Sequence, residues 1–394
     1  MKRAFALALL VAGCGAAPPS AERPPGDAER WTREAAEAWA SLDPERAARL
    51  ADRALQLGAS DDAREIAARS LLALGRPERA ARALEGTSDP VLLRLRARAQ
   101  MALDRYADAV DSFEAARRHQ ARSEPDDAWT EAALAAARAA RDAERPYAVE
   151  GAERAELELV EAPLPLVRVR VDTREVLALI GTGADFVLVD PAVRDASGTL
   201  GELGLGALRV RDVPFLTRSL EPVREGLGQD VRVVIGADLL MRLGATLDGP
   251  ARRLHVHREP PVRGEDASAA LLTPGAAFLV VEARVDDRRG WLTVDTAGLV
   301  PVALGPDGAE ALGLAELEWS GSEPGPRLAV VPALQLGSMV IEELPVVQGL
   351  LDESHARAAG APVIGSVGWT LLGQLRLGFD PHGRRIVFES GNNP

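Results

Sequence analysis

The C-terminal two thirds of the chain repeats itself, and this duplication restricts the folds open to it. At an offset of 114 residues, Arg170-Val171-Asp172 matches Arg284-Val285-Asp286, and Gly181-Thr182 matches Asp295-Thr296. Four segments in the same order in both halves predict two related lobes. The later segments match at offsets of 131, 129 and 132, as loop insertions would produce: Val213-Pro214 with Leu344-Pro345, Val234-Ile235-Gly236 with Val363-Ile364-Gly365, and Leu247-Asp248 with Phe379-Asp380.

Both halves have the texture of β-structure. Short runs rich in Val and Leu alternate with polar residues and are broken by Gly, Pro and Asp, which is typical of strands joined by turns. Glu161-Ala162-Pro163 and Gly264-Glu265-Asp266 look like boundaries. We therefore expect an all-β region of two lobes, at residues 155–260 and 264–392.

Each half contains an apolar run that leads into a short polar loop. Lobe 1 has Ala178-Leu179-Ile180-Gly181-Thr182-Gly183-Ala184, and lobe 2 has Leu292-Thr293-Val294-Asp295-Thr296-Ala297-Gly298. The second resembles the Asp-Thr-Gly signature of retropepsin-like and pepsin-like aspartic peptidases, and the first resembles it with the aspartate replaced by Gly181. Ile235-Gly236-Ala237-Asp238-Leu239-Leu240 resembles the second family signature, with Ile364-Gly365-Ser366-Val367-Gly368-Trp369 as its counterpart. The resemblance spans roughly residues 160–390 and implies a two-lobed β-barrel domain.

In that family each lobe supplies one aspartate, and the two carboxylates share one proton because adjacent like charges do not both ionise cheaply. Here only Asp295 is present, so we expect it to titrate as a single carboxylate. The resemblance implies that Thr182 and Thr296 form hydrogen bonds between the lobes, and that Gly183, Ala297 and Gly298 complete the active-site loops. The Cβ of Ala297, where the family has glycine, adds a modest steric cost.

Three functions fit this halved motif. The first is a degenerate peptidase that binds extended peptide or protein segments in the inter-lobe cleft without efficient cleavage. The second is an active aspartic endopeptidase that uses Asp295 with an unrecognised second acid, or with Asp295 of another chain through inter-chain lobe pairing. The third is a non-enzymatic envelope scaffold. Asp295 itself could also be a structural acid, hydrogen-bonded to loop amides.

Neighbouring aspartates do not replace the missing one. Asp185 lies four residues beyond Gly181, which is about 13 Å in extended chain. Asp172 aligns with Asp286 in the turn before the apolar run, so we expect a turn residue there.

Residues 30–150 have a different composition, rich in Ala, Arg, Glu and Leu, which favours helix. A degenerate repeat places Ala47, Ala80 and Ala109 at equivalent positions, 33 and 29 residues apart. This spacing resembles tetratricopeptide repeats, whose period is about 34 residues. The full prediction is thus a multidomain α plus all-β chain, in which the helical module is either a binding site for a protein partner or a spacer.

The chain begins like a secreted protein. Met1-Lys2-Arg3 is positively charged, an apolar run follows, and Val11-Ala12-Gly13 precedes Cys14, the one cysteine in the sequence. This resembles a bacterial lipoprotein signal, which predicts a signal peptide at 1–13, lipidation of Cys14 and a linker at 14–29. We expect a lipid-anchored, periplasm-facing envelope protein, on the outer membrane.

Other function classes are disfavoured. A net charge of −13 argues against nucleic-acid binding. His255 and His257 share one strand face without an evident third metal ligand, so we expect solvated strand residues there, and neither a metal site nor a cofactor.

Overall fold

The computed structural model describes residues 26–58, 60–119, 128–261, 268–270, 279–321, 325–353, 355, 361–383 and 385–390. Cys14, the predicted signal peptide and most of the predicted linker lie outside these residues. Among the described helices, none is long and apolar enough to cross a membrane. The N-terminal part contains seven of them: α1 (Asp27–Ala40), α2 (Pro44–Gln56), α3 (Asp61–Ala73), α4 (Pro77–Ala83), α5 (Pro90–Met101), α6 (Tyr106–His119) and α7 (Ala128–Asp142).

The repeat read from the sequence corresponds to three successive helical hairpins, α1–α2, α3–α4 and α5–α6. Ala47, Ala80 and Ala109 each occupy the fourth position of the second helix and are fully buried. Each hairpin also turns through one residue with positive φ, at Leu42, Gly75 and Asp104. A small side chain at the helix crossing lets the paired helices pack closely. The predicted helical module is therefore confirmed, whereas its assignment to the tetratricopeptide class stays a prediction.

Lobe 1 is a closed six-stranded barrel in the order β3-β4-β8-β5-β7-β6, because β6 pairs with both β7 and β3. Strand β1 pairs with the outer edge of β7, so the predicted boundary at residue 150 falls inside this strand. The elements of this part are β1 (Ala148–Gly151), β2 (Arg154–Val160), β3 (Leu166–Val171), β4 (Arg174–Ile180), β5 (Val187–Val189), β6 (Gly198–Leu205), β7 (Leu208–Thr217), α8 (Glu221–Leu227), β8 (Val231–Ile235), α9 (Ala237–Arg242), β9 (Thr246–Asp248) and β10 (Arg253–His257).

Lobe 2 is a closed barrel of the same design, in the order β12-β13-β17-β14-β16-β15. Each of its six strands is the counterpart of a lobe-1 strand with the same partners. Its elements are β11 (Ser268–Ala270), β12 (Val280–Val285), β13 (Arg288–Asp295), β14 (Val302–Leu304), α10 (Gly308–Ala311), β15 (Arg327–Leu336), β16 (Met339–Gln348), β17 (Val363–Gly368), α11 (Trp369–Leu372), β18 (Leu375–Asp380) and β19 (Arg385–Ser390).

The strand registers refine the sequence alignment of the two lobes. Ile180 pairs with Ile235 in lobe 1, and Val294 pairs with Val367 in lobe 2. The counterpart of Gly236 is therefore Gly368 and not Gly365, which corrects the predicted pairing of Val234-Ile235-Gly236 with Val363-Ile364-Gly365. The local structure supports this equivalence, since Gly236 and Gly368 both precede a short helix and both have extended ψ.

A sheet of strands from both lobes joins the two barrels. It runs β2-β10-β9-β18-β19-β11, and the lobes meet where β9 pairs with β18. One continuous hydrophobic cluster extends from the lobe-1 barrel through this sheet into the lobe-2 barrel. The expected fold class, a helical module followed by a two-lobed barrel domain, is confirmed.

The helical module rests on both lobes. Trp39 of α1 meets Trp291 of β13 edge-to-face, with ring centroids 5.4 Å apart. On lobe 1, Phe186 packs into a cluster formed by α5, α6 and α7. Arg242 of α9 forms an ion pair with Asp104 at 2.7 Å. The module therefore touches the strand that carries Asp295 and the loop that follows Gly181.

Candidate active-site region between the lobes

Thr182 and Thr296 hold the two lobes together with four reciprocal hydrogen bonds. The backbone N–H of each threonine donates to the hydroxyl oxygen of the other at 3.0 Å. The Thr182 hydroxyl donates to the Val294 carbonyl at 2.7 Å, and the Thr296 hydroxyl donates to the Ile180 carbonyl at 2.6 Å. Both side chains are fully buried. These are the inter-lobe bonds that the resemblance implies, and the structure contains them.

Each polar loop is supported from behind by the segment after its central parallel strand. In lobe 1, the N–H of Ala237 donates to the Ala184 carbonyl at 2.8 Å. In lobe 2, the N–H of Trp369 donates to the Gly298 carbonyl at 2.7 Å. A Cβ on Gly236 would come within 2.8 Å of three carbonyl oxygens of the lobe-1 loop, so only glycine permits this contact. The loop backbones therefore have the same support in both lobes.

Asp295 lies at the junction of the lobes and reaches across it. Its Oδ1 accepts a hydrogen bond from the N–H of Ala297 at 2.9 Å, and the backbone of Gly183 in lobe 1 lies beside the same carboxylate. A Cβ on Gly183 would lie 2.8 Å from Asp295 Oδ1. Glycine at position 183 thus lets the carboxylate lie against the lobe-1 loop. These two backbone contacts agree with the structural role considered for Asp295 as well as with a role in an active site.

Ala297 and Gly298 differ in what surrounds them. The methyl group of Ala297 packs against the apolar cluster of lobe 1 that contains Leu179 and Val234, so the extra Cβ is accommodated by contact with the other lobe. A Cβ on Gly298 would lie 3.1 Å from the Cα of Gly368, which leaves little room for a side chain.

An apolar side chain lies beside the position of the missing aspartate. A Cβ placed on Gly181 would lie 2.7 Å from Cγ1 of Val234. The backbone at this position keeps its place, because the Gly181 N–H donates to the Ile235 carbonyl at 3.0 Å. The side chain of Val234 therefore lies where the side chain of an aspartate at position 181 would begin.

Burial raises the pKa of Asp295 above that of an ordinary carboxyl group, while the Ala297 and Gly183 amides and the charge of His355 oppose the shift. A raised pKa means that the folded protein holds this proton more tightly than the unfolded chain does. The stabilising contribution of Asp295 is therefore fully present at low pH and is lost as the pH rises through its pKa in the folded state.

We expect the Asp295 carboxyl carbon, followed by NMR, to titrate with a midpoint above about 3.9, the usual value for aspartate. A midpoint for Asp295 at or below about 3.9 would contradict the assignment of burial as the dominant influence.

His355 is a site residue that sequence analysis missed. Its Nε2 lies 3.0 Å from the hydroxyl oxygen of Thr293, two residues before Asp295 on β13. Burial lowers the pKa of His355, whereas the charges of Asp295 and Asp352 and a hydrogen bond to the Gly365 carbonyl raise it. The signal in the sequence was the change from Leu179 in lobe 1 to Thr293 at the equivalent place in lobe 2, which marks a polar neighbourhood.

The remaining candidates lie elsewhere. Asp185 lines a cavity of about 510 Å³ between the helical module and lobe 1. Asp172 has φ of 52° in the β3–β4 turn, which confirms it as a turn residue. His255 lies 3.4 Å from Glu156 on the neighbouring strand. Within the part of the chain that the structure describes, no group of three potential ligands could hold a metal ion.

Comparisons with known proteins find similarity at the level of structure. No protein-family model matches the sequence, and no curated protein matches it.

Among solved structures, a retropepsin-like aspartic protease from Rickettsia conorii is 20% identical with a TM-score of 0.22, and the match covers 31% of this chain and 87% of that one. An aspartic proteinase from Irpex lacteus is 13% identical with a TM-score of 0.40, over 60% and 97% of the two chains. Basic 7S globulin from soybean is 12% identical with a TM-score of 0.39, over 62% and 97%. Similarity this low carries no information about activity.

Proposed function

We propose that this protein binds extended peptide or protein segments between its two lobes and does not cleave them efficiently. The proposal rests on one observation. The structural part of the motif is intact, whereas its catalytic part is incomplete. The four hydrogen bonds of Thr182 and Thr296 are complete, whereas Gly181 supplies no carboxylate and a Cβ there would lie 2.7 Å from Cγ1 of Val234.

The chemistry of peptide hydrolysis explains why one carboxylate is too few. The two-aspartate mechanism needs an ionised carboxylate to accept a proton from water and a protonated one to polarise the scissile carbonyl. Each positioned proton-transfer group contributes about 10²- to 10⁴-fold to the rate. Loss of the partner at position 181 therefore removes most of the catalytic power and leaves the lobes in place to hold a ligand.

A binding measurement tests this proposal. A fluorescently labelled, unfolded casein peptide should bind the full chain, and Asp295→Asn should change its Kd by less than about threefold, because an exchange of one partly exposed acceptor costs well under 1 kcal/mol. Gly183→Val should weaken binding at least tenfold, because its side chain would project at Asp295 between the lobes.

Gly226→Val is the matched control, since a Cβ on Gly226 meets nothing within 4 Å. Binding that survives Gly183→Val would place the ligand elsewhere, for example in the groove of about 910 Å³ lined by α1 and α3 of the helical module. That result would favour the non-enzymatic scaffold and a protein partner on the helices.

Attachment to the bacterial envelope by a lipid on Cys14, facing the periplasm, belongs to the same proposal. Mass spectrometry of the mature amino terminus tests it, and an unmodified Cys14 would contradict it.

A further inference from the structure

The two lobes differ in the polarity of one strand position. This position lies two residues before Gly181 in lobe 1 and two residues before Asp295 in lobe 2. Leu179 in lobe 1 is buried in an apolar cluster with Leu220 and Val234, beside helix α8. Its counterpart Thr293 in lobe 2 is equally buried but is bonded to a histidine. His355 comes from the segment before β17, which corresponds to α8 before β8. The barrels are thus alike, while the side chain that contacts this position is apolar in lobe 1 and ionisable in lobe 2.

One contact places His355 near Asp295, through Thr293. The Thr293 hydroxyl donates to the Gly365 carbonyl at 3.3 Å and lies 3.0 Å from His355 Nε2, which fixes the imidazole over β13 and β17. Thr293 and Asp295 project from the same face of β13, at a spacing of about 7 Å along the strand. The charge of each group favours the ionised form of the other, so that His355 lowers the pKa of Asp295 and Asp295 raises the pKa of His355.

We propose that His355 is the second ionisable group of this site, and that Asp295 and His355 form an acid–base pair that hydrolyses a bound peptide bond slowly. The inference rests on the peptide binding proposed above and adds to it a chemistry other than that of two aspartates. Thr293 is the positioning residue that holds the ring. A second copy of the chain is not required, because both groups belong to lobe 2.

The proposed step balances within the pair. The Asp295 carboxylate takes one proton from a water molecule while the water oxygen forms a bond to the peptide carbonyl carbon. The imidazolium of His355 gives one proton to the amide nitrogen as the carbon–nitrogen bond breaks. The products are a carboxylic acid and an amine, and the proton on Asp295 restores the imidazolium through solvent. Water is the only co-reactant.

This pairing predicts a bell-shaped dependence of the rate on pH. The active form needs Asp295 ionised and His355 protonated, so the rate falls in acid with protonation of the carboxylate and in base with loss of the imidazolium proton. Burial raises the pKa of Asp295 and lowers that of His355. The maximum should therefore lie between about 3.9 and about 6.5, the ordinary values of the two groups. The charge of Asp352 also favours the protonated ring.

The test is cleavage of the labelled casein peptide by the full chain from pH 3 to pH 8, with peptide binding measured in the same samples. His355→Gln and Asp295→Asn should each lower the rate about 100-fold, and the double variant should lower it no further, because the two groups act as a unit. His382→Gln, in the exposed turn after β18, is the matched control and should retain the full rate.

A second readout does not depend on activity. In NMR titrations, the pKa of His355 should be lower in Asp295→Asn than in the unmodified chain, whereas Asp287→Asn should leave it unchanged. Peptide that binds but is not cleaved at any pH, or cleavage equal in His355→Gln and the unmodified chain, would overturn the inference and leave the proposed function standing. Failure to bind peptide at all would overturn the proposed function itself.

Discussion

Replacing Thr182 with valine is expected to lower the free energy of unfolding by about 3 kcal/mol. The hydroxyl oxygen of Thr182 accepts from the Thr296 N–H, and the hydroxyl donates to the Val294 carbonyl, so the substitution leaves two fully buried backbone groups without these partners. A buried polar group left unsatisfied costs about 1–3 kcal/mol. The reciprocal change Thr296→Val removes the same two kinds of bond, and its effect should match that of Thr182→Val within about 1 kcal/mol.

Urea denaturation followed by tryptophan fluorescence measures these losses. Thr370→Val is the matched control, because the Thr370 hydroxyl donates to the Leu299 carbonyl at an exposed position and its loss should cost about 1 kcal/mol or less. A loss in Thr182→Val no larger than the loss in Thr370→Val would show that the reciprocal bonds do not hold the lobes together.

Restoring the missing carboxylate is expected to create an efficient peptidase. Gly181→Asp alone places a Cβ 2.7 Å from Cγ1 of Val234, so the new side chain is displaced unless valine is also shortened. The double variant Gly181→Asp/Val234→Ala removes that contact and should raise the cleavage rate by about 10²- to 10⁴-fold over the unmodified chain. Its optimum should move towards lower pH, because two adjacent carboxylates share one proton in acid.

The single variant Val234→Ala is the control for loosened packing and should not gain activity. Gly181→Asp/Val234→Ala/Asp295→Asn should lose the gain, because one carboxylate again stands without a partner. Equal rates for the restored double variant and Val234→Ala would mean that the site has lost more than the carboxylate at position 181.

The duplication made the fold predictable from this sequence. Matching segments at four places in each half predicted two similar lobes, and the paired Thr182 and Thr296 predicted the contact between them. The sequence alignment matched Gly236 with Gly365 and was wrong by three residues, because Val363-Ile364-Gly365 is similar in composition to Val234-Ile235-Gly236. Strand register decides between such alternatives, since Gly368 lies opposite Asp295 on the paired strand.

Only part of the chemistry of the site could be predicted from the sequence. Asp295 stands in a motif, so its place between the lobes followed from sequence. His355 is 60 residues farther along the chain in a segment without a motif, and only the folded structure shows its Nε2 within 3.0 Å of the Thr293 hydroxyl oxygen. Nothing in the sequence distinguishes Val234 from other strand residues, and only the structure shows its side chain beside Gly181. Contacts between distant segments of this kind depend on the three-dimensional packing.

The contacts between the helical module and the two lobes also could not be predicted from the sequence. Periodicity predicted the helices, but nothing in it predicted that Trp39 would meet Trp291 or that Phe186 would enter the helical core. Since the module contacts both lobes, it fixes part of their relative position.

The most direct measurement is a single-turnover assay with excess protein and the labelled casein peptide, in which bound and cleaved peptide are quantified by mass spectrometry. We expect a stable complex from which the peptide is recovered largely intact, with a cleavage rate below about 0.1 s⁻¹, since the median enzyme reaches about 10 s⁻¹ and one missing proton-transfer group costs at least about 10²-fold. Cleavage at about 1 s⁻¹ or faster that disappears in Asp295→Asn would contradict this expectation, and would mean that this chain is an efficient peptidase with a single aspartate.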